Sequence, residues 1–350
     1  MEIVEFIQMR TLLVDEYQIT STDGESQRKW ELFFQQLIGS EKFSLEHSKE
    51  HNLFYGTIAG DHSRLQVARD GKQAQLTVLS GNTTRPAIES LINQYPGFNW
   101  EQSVTAEKIE INDQFSVFEP AEYLREYYSD MIPENQKILT WLHKVYSRLP
   151  LIDRMLEIGG GATVYQLISA VTKVEHVSFT DLLDSNLKEV RAFTAGQGFN
   201  WEPFIQYVLE LEGGNNSIKE REQLMRDRLV QIETADMIQL PASFQENYSV
   251  VQSSFAMESA TGDLEVYLKM LQQAAGCLKP GGYLVMTALG GALCYKSGQA
   301  YFPAVPLFQA EIEKYLAQNS LTVLDLERID ADDPQESMYP YMYFVLAQKN

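Results

Sequence analysis

The stretch Met155-Leu156-Glu157-Ile158-Gly159-Gly160-Gly161-Ala162-Thr163 contains the pattern on which the fold prediction depends. Residues 155–158 are apolar enough to form a short buried strand, and three successive glycines follow them. Residues 163–170 are expected to continue as a helix. Glycines at a strand-to-helix turn let the backbone approach a ligand closely, which a Cβ would prevent. Three glycines also suit a purely structural turn, so the rest of the chain has to decide between the two explanations.

Strand-like segments recur after this loop, at 176–179, 248–252 and 283–286, with helical segments between them. The helix predicted over 267–278 is stopped by Lys279-Pro280-Gly281-Gly282. Alternating strands and helices predict an α/β fold with a mostly parallel, doubly wound sheet. Such sheets bind ligands at the carboxyl ends of their strands, which is where the three glycines are placed.

Asp181 ends the second predicted strand. A carboxylate at this place can accept hydrogen bonds from both hydroxyls of a ribose, so it predicts a nucleotide site beside the glycines. A dinucleotide fingerprint needs glycine or alanine where Val164 stands, which argues against NAD. The sequence has no G-K-[ST] tripeptide, which excludes a phosphate-binding P-loop.

The pattern E-x-G-x-G-x-T at 157–163, the acid at 181 and L-K-P-G-G at 278–282 together resemble class I S-adenosylmethionine-dependent methyltransferases. A closer resemblance covers residues 118–350 and is to the family of nicotinamide, phenylethanolamine, indolethylamine and thioether methyltransferases. It rests on F-E-P-A-E-Y-L-R-E-Y-Y at 118–128, E-I-G-G-G-A-T-V-Y-Q-L at 157–167, T-D-L-L-D-S-N-L at 180–187, F-N-W-E-P-F at 199–204 and L-E-G at 211–213. The resemblance implies a Rossmann-like methyltransferase domain that uses S-adenosylmethionine and releases S-adenosylhomocysteine.

The resemblance also implies a cofactor site, residue by residue. Tyr123 and Tyr128 are expected to cover the cofactor from a lid, and Asp181 to hold the ribose. The whole implied set is Tyr123, Tyr128, Gly159, Gly160, Gly161, Thr163, Tyr165, Asp181, Asn186, Asp236, Met237 and Ser253. Without the resemblance, the tyrosines are more simply explained as the apolar face of an amphipathic helix. The role of Tyr127 stays open.

Methyl transfer from a sulfonium is an in-line displacement with a neutral leaving group, so alignment of the reactants can supply most of the acceleration. Amines, pyridine nitrogens and thioethers attack directly, whereas a hydroxyl needs deprotonation. We expect a small-molecule acceptor that is methylated on a nitrogen of an amine or heteroaromatic ring. Two alternatives remain: transfer to sulfur, oxygen or carbon of a small apolar metabolite, and a catalytically silent protein that only binds the cofactor.

Glu258 and Tyr123 are the candidate catalytic residues. Glu258, in S-S-F-A-M-E-S-A at 253–260, matches the position at which amine-methylating relatives keep a carboxylate near the acceptor nitrogen. A carboxylate there can attract, orient or deprotonate an amine. The alternative explanation is that Glu258 caps the following turn or lies in solvent.

The acceptor pocket departs from the pattern of the family. Thr287, Gly290, Gly291 and Ala304 stand where relatives carry acids or serines. We expect Gly290, Gly291 and Ala304 to make the pocket roomier and more apolar, with Tyr295 and Phe302 as walls. This composition predicts a bulkier or less polar acceptor than nicotinamide or a catecholamine-like amine.

The charge balance excludes several classes of partner. Lys and Arg number 28 against 48 Asp and Glu, a net charge of −20. Proteins that bind nucleic acid gain affinity by neutralising phosphates, so nucleic acid is not expected, and neither is an anionic membrane. Cys277 and Cys294 are too few for a disulfide framework or a cysteine-rich zinc site. The first residues lack the pattern of a signal peptide, and we expect a cytoplasmic protein without a metal.

Residues 1–117 are predicted to form a separate α+β accessory domain, ahead of the methyltransferase domain at 118–350. Strands are predicted at 11–19, 52–58, 64–68 and 73–79, and helices at 26–38 and 82–95. Two roles are open for this domain: it shapes the acceptor entrance, or it mediates a homodimer.

Overall fold

The computed structural model describes residues 10–21, 30, 32–34, 46–48, 53–58, 61–68, 72–80, 90, 93–94, 98–112, 115–214, 216–331 and 338–350. The chain divides into two compact units, Met1–Asp113 and Gln114–Asn350. Each unit has an apolar core of its own. In the described residues, no helix combines the length and the apolar character needed to cross a membrane.

The first unit is built on antiparallel strands. Those described are β1 (Arg10–Ser21), β2 (Glu46–Ser48), β3 (Leu53–Ile58), β4 (Asp61–Val67), β5 (Gln73–Ser80) and β6 (Phe98–Ile111), in the spatial order β6-β1-β5-β4-β3-β2. Alternate residues along a strand are buried, as Tyr17 and Ile19 are on β1 and Ala74 and Leu76 on β5. This alternation is typical of a sheet that covers a core with one face.

Four of these strands agree with the sequence prediction within a few residues, namely β1, β3, β4 and β5. The 14-residue strand β6 is absent from that prediction. Residues 30 and 32–34 are helical, as predicted, and the rest of the helix predicted over 26–38 lies outside the described residues. Most of the helix predicted over 82–95 also lies outside the described residues.

The second unit contains a seven-stranded sheet. Its strands are β7 (Ile152–Ile158), β8 (Val174–Asp181), β9 (Leu229–Thr234), β10 (Tyr248–Ser254), β11 (Leu278–Gly290), β14 (Leu321–Asp330) and β15 (Tyr341–Lys349), and β12 (Cys294–Ser297) and β13 (Ala300–Pro303) form a hairpin after β11. The order across the sheet is β14-β15-β11-β10-β7-β8-β9. The five strands β11, β10, β7, β8 and β9 pair in parallel. Strand β15 pairs antiparallel with both β11 and β14. The prediction of a Rossmann-like, doubly wound sheet is confirmed, with the strand order reversing between β7 and β10.

Helices pack on this sheet. Those described in the second unit are α1 (Pro120–Tyr128), α2 (Pro133–Arg148), α3 (Asp184–Thr194), α4 (Glu202–Glu212), α5 (Ile218–Arg228), α6 (Leu264–Cys277) and α7 (Gln309–Gln318). Both α1 and α2 begin with proline, whose fixed φ suits the first turn of a helix. Their apolar faces join one core with β7, β8 and the segment after the glycines.

The segment after the glycines differs from the prediction. Residues 163–170 do not form an α-helix; they form two short 3₁₀ turns, at Tyr165–Leu167 and Ala170–Thr172. Hydroxyl groups here bind nearby backbone carbonyls: Thr163 Oγ1 donates to Gly160 O at 3.1 Å and Thr172 Oγ1 to Ser169 O at 2.8 Å. Such local bonds compete with the regular hydrogen bonds of a helix, and apolar periodicity does not report them.

Candidate active site

A cavity of about 240 Å³ opens in the second unit at the carboxyl ends of β7, β8 and β10. Its lining includes the three glycines, Asp181 and a group of aromatic side chains. This is the place at which a doubly wound sheet binds its ligand, because the strand order reverses there.

Each glycine of the loop is required, either because a Cβ would clash or because the backbone has a positive φ. Gly159 and Gly161 have φ values of +62° and +65°, a region that L side chains rarely adopt. A Cβ on Gly160 would lie 2.1 Å from Cζ of the buried Phe179 ring, and one on Gly159 would lie 2.7 Å from Cβ of Ala256. The backbone of the loop is therefore exposed toward the cavity, as close approach of a ligand requires.

Asp181 fixes this loop to the end of β8. Its Oδ2 accepts a hydrogen bond from the Gly161 N–H at 2.9 Å, and its Oδ1 accepts from Leu183 N at 2.8 Å and Asn186 Nδ2 at 3.0 Å. Burial raises the pKa of Asp181, and these three hydrogen bonds act in the opposite direction. The carboxylate is held in one orientation at the cavity wall.

Beneath the loop lies a buried polar network around Glu157. Its carboxylate accepts from Gln252 Nε2 at 2.9 Å and from Gln166 Nε2 at 3.4 Å. Gln166 Nε2 also donates to Gly160 O at 3.1 Å, and Tyr146 donates its hydroxyl to Gln252 Oε1. Burial raises the pKa of Glu157 well above its usual value. Glu157 thus supports the loop from inside and does not line the cavity.

Three tyrosines form an aromatic wall. The rings of Tyr128 and Tyr165 stack with their centroids 5.2 Å apart, and the Tyr123 and Tyr128 hydroxyls lie 3.3 Å apart. Burial raises the pKa of the Tyr123, Tyr128 and Tyr165 hydroxyls, so they are protonated at neutral pH. Tyr127 lines the cavity too, and its hydroxyl donates to Lys296 O at 2.6 Å.

Two buried polar atoms of the lining have no hydrogen-bond partner within the described part of the chain, Asn186 Oδ1 and Ser254 Oγ. Buried polar atoms are normally satisfied, so orphaned ones at a cavity point to a ligand that satisfies them. Asp236 and Met237 complete this side, with Asp236 Oδ1 accepting from Ile238 N at 2.9 Å. These residues fit a nucleoside that brings both donors and acceptors.

Comparison with known protein families leads to the same kind of site. The model of the NNMT/PNMT/TEMT family matches residues 106–350. The chain belongs to the NNMT/PNMT/TEMT family. It is 30% identical to human nicotinamide N-methyltransferase over 220 residues, which cover 59% of this chain and 83% of that protein. It is 29% identical to phenylethanolamine N-methyltransferase of Macaca mulatta over 227 residues, 60% of this chain and 79% of that protein.

Family membership confirms two predictions, that the chain is a methyltransferase and that its cofactor is S-adenosylmethionine. Eleven of the twelve residues expected at the cofactor line the one cavity; the exception is Ser253. Ser253 is buried beside the lining residue Ser254, and its Oγ has no hydrogen-bond partner in the described part of the chain.

Glu258 is buried and does not line the cavity, whereas the next two residues, Ser259 and Ala260, do. Its Oε1 accepts from Leu289 N at 2.9 Å, and its backbone O accepts from Val305 N at 2.8 Å. Burial raises the pKa of Glu258 to about 7. The solvent-exposed alternative is therefore wrong, and a charge on Glu258 raises the pKa of Tyr123 on the cavity side.

The residues expected around the methyl acceptor differ from the sequence prediction in where they lie. Tyr295 lines the cavity and stacks on Phe302, with the centroids 5.5 Å apart. Phe302 lies one layer deeper, fully buried against Phe115 and Phe118. Gly290 does not enlarge the pocket, because a Cβ at this position would lie 2.1 Å from Cδ2 of Tyr341, whose ring already fills the space.

Gly291 is similarly placed, because its Cβ would lie 3.0 Å from Cγ of Pro340. Thr287 and Ala304 are buried and do not line the cavity. The expectation that Gly290, Gly291 and Ala304 make the pocket roomier is therefore wrong. Sequence reasoning also missed lining residues of the C-terminal segment and of the start of α2, including Glu134 and Tyr339. Their positions along the chain carry no motif that would have shown them.

Proposed function

We propose that the protein methylates a nitrogen atom of a small amine or heteroaromatic compound. The supporting observation is the lining of the cavity, which in the described residues contains no Lys, Arg or His side chain. The buried tyrosines there have raised pKa values, so they stay protonated at neutral pH and cannot take a proton from an acceptor. An acceptor that attacks through a neutral lone pair needs no base, whereas a hydroxyl acceptor does.

The residues of the cavity fit the cofactor in chemical type. Asp181 offers carboxylate oxygens for the ribose hydroxyls, and Asn186 and Ser254 offer buried polar atoms that lack partners in the described chain. When bound, S-adenosylmethionine supplies an electrophilic methyl group on a positively charged sulfur. Tyr123, Tyr128 and the other aromatic faces stabilise a cation by roughly 0.5–2 kcal/mol each.

Glu258 has a supporting role in this proposal. A methylated amine or ring nitrogen gains positive charge as the carbon–nitrogen bond forms. A buried carboxylate whose charge reaches the lining residues Tyr123 and Tyr295 stabilises that charge through the low-dielectric interior. Because the pKa of Glu258 is about 7, the group is ionised in a growing fraction of molecules as the pH rises above neutrality. Leu289 N holds the carboxylate in place through either protonation state.

The test is an acceptor panel of amines, heteroaromatics, thioethers and phenols with methyl-labelled S-adenosylmethionine. We expect label on nitrogen in at least one amine or heteroaromatic product, and none on phenols. Thioethers are the second candidate, because sulfur also attacks without a base and the lining is rich in aromatic rings. Binding of the cofactor with no methylated product across the panel would refute the proposal and leave a silent binding protein.

Nucleic acid is not a partner in this proposal, because the net charge of −20 opposes contact with phosphates. A fluorescent duplex or single strand is expected to stay unbound at low salt, where electrostatic attraction would be strongest. Retention that weakens as salt is added would contradict this part.

A further inference from the structure

One side chain of the acceptor half of the cavity carries a charge. When the residues expected at the cofactor are set aside, the described lining consists of aromatic, aliphatic and small polar side chains and Glu134. Its aromatic and aliphatic members include Phe115, Phe118, Tyr295 and Met342. A carboxylate among these uncharged side chains is a feature that the methyl transfer itself does not use.

Glu134 is held in a defined position. It lies in the first turn of α2, where the positive end of the helix dipole favours a negative charge. Tyr339 donates its hydroxyl to Glu134 Oε2 at 2.6 Å, a bond between residues far apart in the chain. The next residue, Asn135, donates Nδ2 to Tyr127 O at 3.1 Å, which fixes this turn against α1.

The charge of Glu134 reaches the cavity. It is only 9% exposed, so its field is weakly screened by water. It contributes to the raised pKa of Tyr127, which lines the same cavity. The described lining has no Lys, Arg or His side chain, and Glu134 is the one carboxylate of its acceptor half, so this group can accept a further hydrogen bond from a donor on a ligand.

We propose that Glu134, positioned by Tyr339, determines acceptor specificity by binding a cationic or hydrogen-bond-donating group that is separate from the methylated nitrogen. The acceptor class is a flat aromatic or heteroaromatic compound with a second, donor-bearing group such as an ammonium. Compounds with a carboxylate or phosphate in that place are rejected by like charge. This inference rests on the proposed methylation of nitrogen for its reaction and on the cavity for its binding.

The experiment measures binding to the full chain loaded with S-adenosylhomocysteine, by calorimetry at pH 7.4. The probes are isoquinoline, its 5-, 6-, 7- and 8-aminomethyl derivatives, and the four corresponding carboxylates. We expect at least one aminomethyl isomer to bind tenfold or more tightly than isoquinoline, and every carboxylate to bind more weakly. A charge-assisted hydrogen bond is sufficient for a factor of that size.

Two variants and a control locate the effect. Glu134→Gln is expected to reduce the preference for the aminomethyl isomer to threefold or less, and Tyr339→Phe to reduce it partly. Asp130→Asn, which removes an exposed carboxylate in the segment between α1 and α2, is expected to keep the preference. Binding of S-adenosylhomocysteine within threefold of wild type shows that each variant is folded.

The outcomes separate this inference from the proposed function. A wild type without a preference for any aminomethyl isomer, or a preference that survives in Glu134→Gln, overturns the role of Glu134. Methylation of isoquinoline with labelled S-adenosylmethionine reports the reaction independently. Selective binding without methylation of any probe would support Glu134 and count against nitrogen methylation.

Discussion

Replacing Gly160 by alanine tests the tightest contact of the glycine loop. The new Cβ would lie 2.1 Å from Cζ and 2.6 Å from Cε2 of Phe179. Ordinary carbon–carbon contacts begin near 3.4 Å, so more than 1 Å of movement is needed. Phe179 is fully buried on β8 and cannot swing into solvent. Overpacking of this kind costs about 1–3 kcal/mol.

The glycine loop and the Phe179 ring both have to move to make room for this Cβ. Gly160 N donates to Thr180 O at 3.0 Å, and Gly160 O accepts from Thr163 and Gln166. A displaced loop therefore loses hydrogen bonds that shape the cavity. A destabilisation of about 2 kcal/mol corresponds to a fall of roughly 4–8 °C in the melting temperature of a domain of this size. We also expect binding of S-adenosylhomocysteine to weaken by about tenfold or more.

Differential scanning fluorimetry and calorimetry measure both effects, and three further variants isolate the cause. Gly161→Ala meets no atom within 4 Å but keeps a φ of +65°, so its cost is backbone strain alone. Gly214→Ala has neither problem and is expected to resemble wild type. Phe179→Leu in the Gly160→Ala background is expected to recover part of the loss. A Gly160→Ala protein that melts within 1 °C of wild type would refute the packing argument.

Three other predictions address the cofactor, the carboxylate and the domain division. Asp181→Ala is expected to weaken S-adenosylmethionine binding by about 10–100-fold, the worth of a lost charge-assisted hydrogen bond, and an unchanged dissociation constant would contradict the ribose role. Glu258→Gln is expected to lower kcat more than cofactor affinity. Because the pKa of Glu258 is about 7, kcat of the wild type is expected to rise between pH 6 and 8, and the variant is expected to lack this rise. If kcat depends on pH in the same way in both proteins, Glu258 is purely structural. Residues 114–350 alone are expected to bind the cofactor within threefold of the full chain, and light scattering of both forms reports whether the first unit makes a homodimer; a fragment that does not fold would refute the division.

The pKa of Glu258 also gives the sign of its effect on stability. Its folded pKa of about 7 lies above the ordinary value of 4.5. Between these two values the folded state binds more protons than the unfolded state, so this group makes stability fall as the pH rises from about 4.5 to 7. Above pH 7 its contribution is constant. Glu258→Gln is expected to remove this slope in thermal melts, which separates the group from the exposed carboxylates.

The sheet and the glycine loop were predictable because their signals are local. Glu157, the glycines and Asp181 follow one another over a strand, a turn and the next strand, and the residue types needed there are few. Strand β6 was not predictable, because its apolar residues change phase along the strand, from even positions at Phe98 and Trp100 to odd positions at Ile109 and Ile111. Alternation was broken there, and pairing with β1 stabilises the strand instead.

Gly290 shows why the size of the acceptor pocket could not be predicted from one position. Tyr341 is its partner on the neighbouring strand β15, and the Tyr341 ring lies where a side chain of residue 290 would stand. An aromatic residue opposite a glycine fills the volume that a side chain would occupy, so a glycine at position 290 leaves the packing density unchanged. Met342, next to Tyr341 on the same strand, lines the cavity. Met342 and Tyr339 line the cavity whereas Gly290 does not, so substitutions at these two residues, rather than at Gly290, are expected to change which acceptors fit.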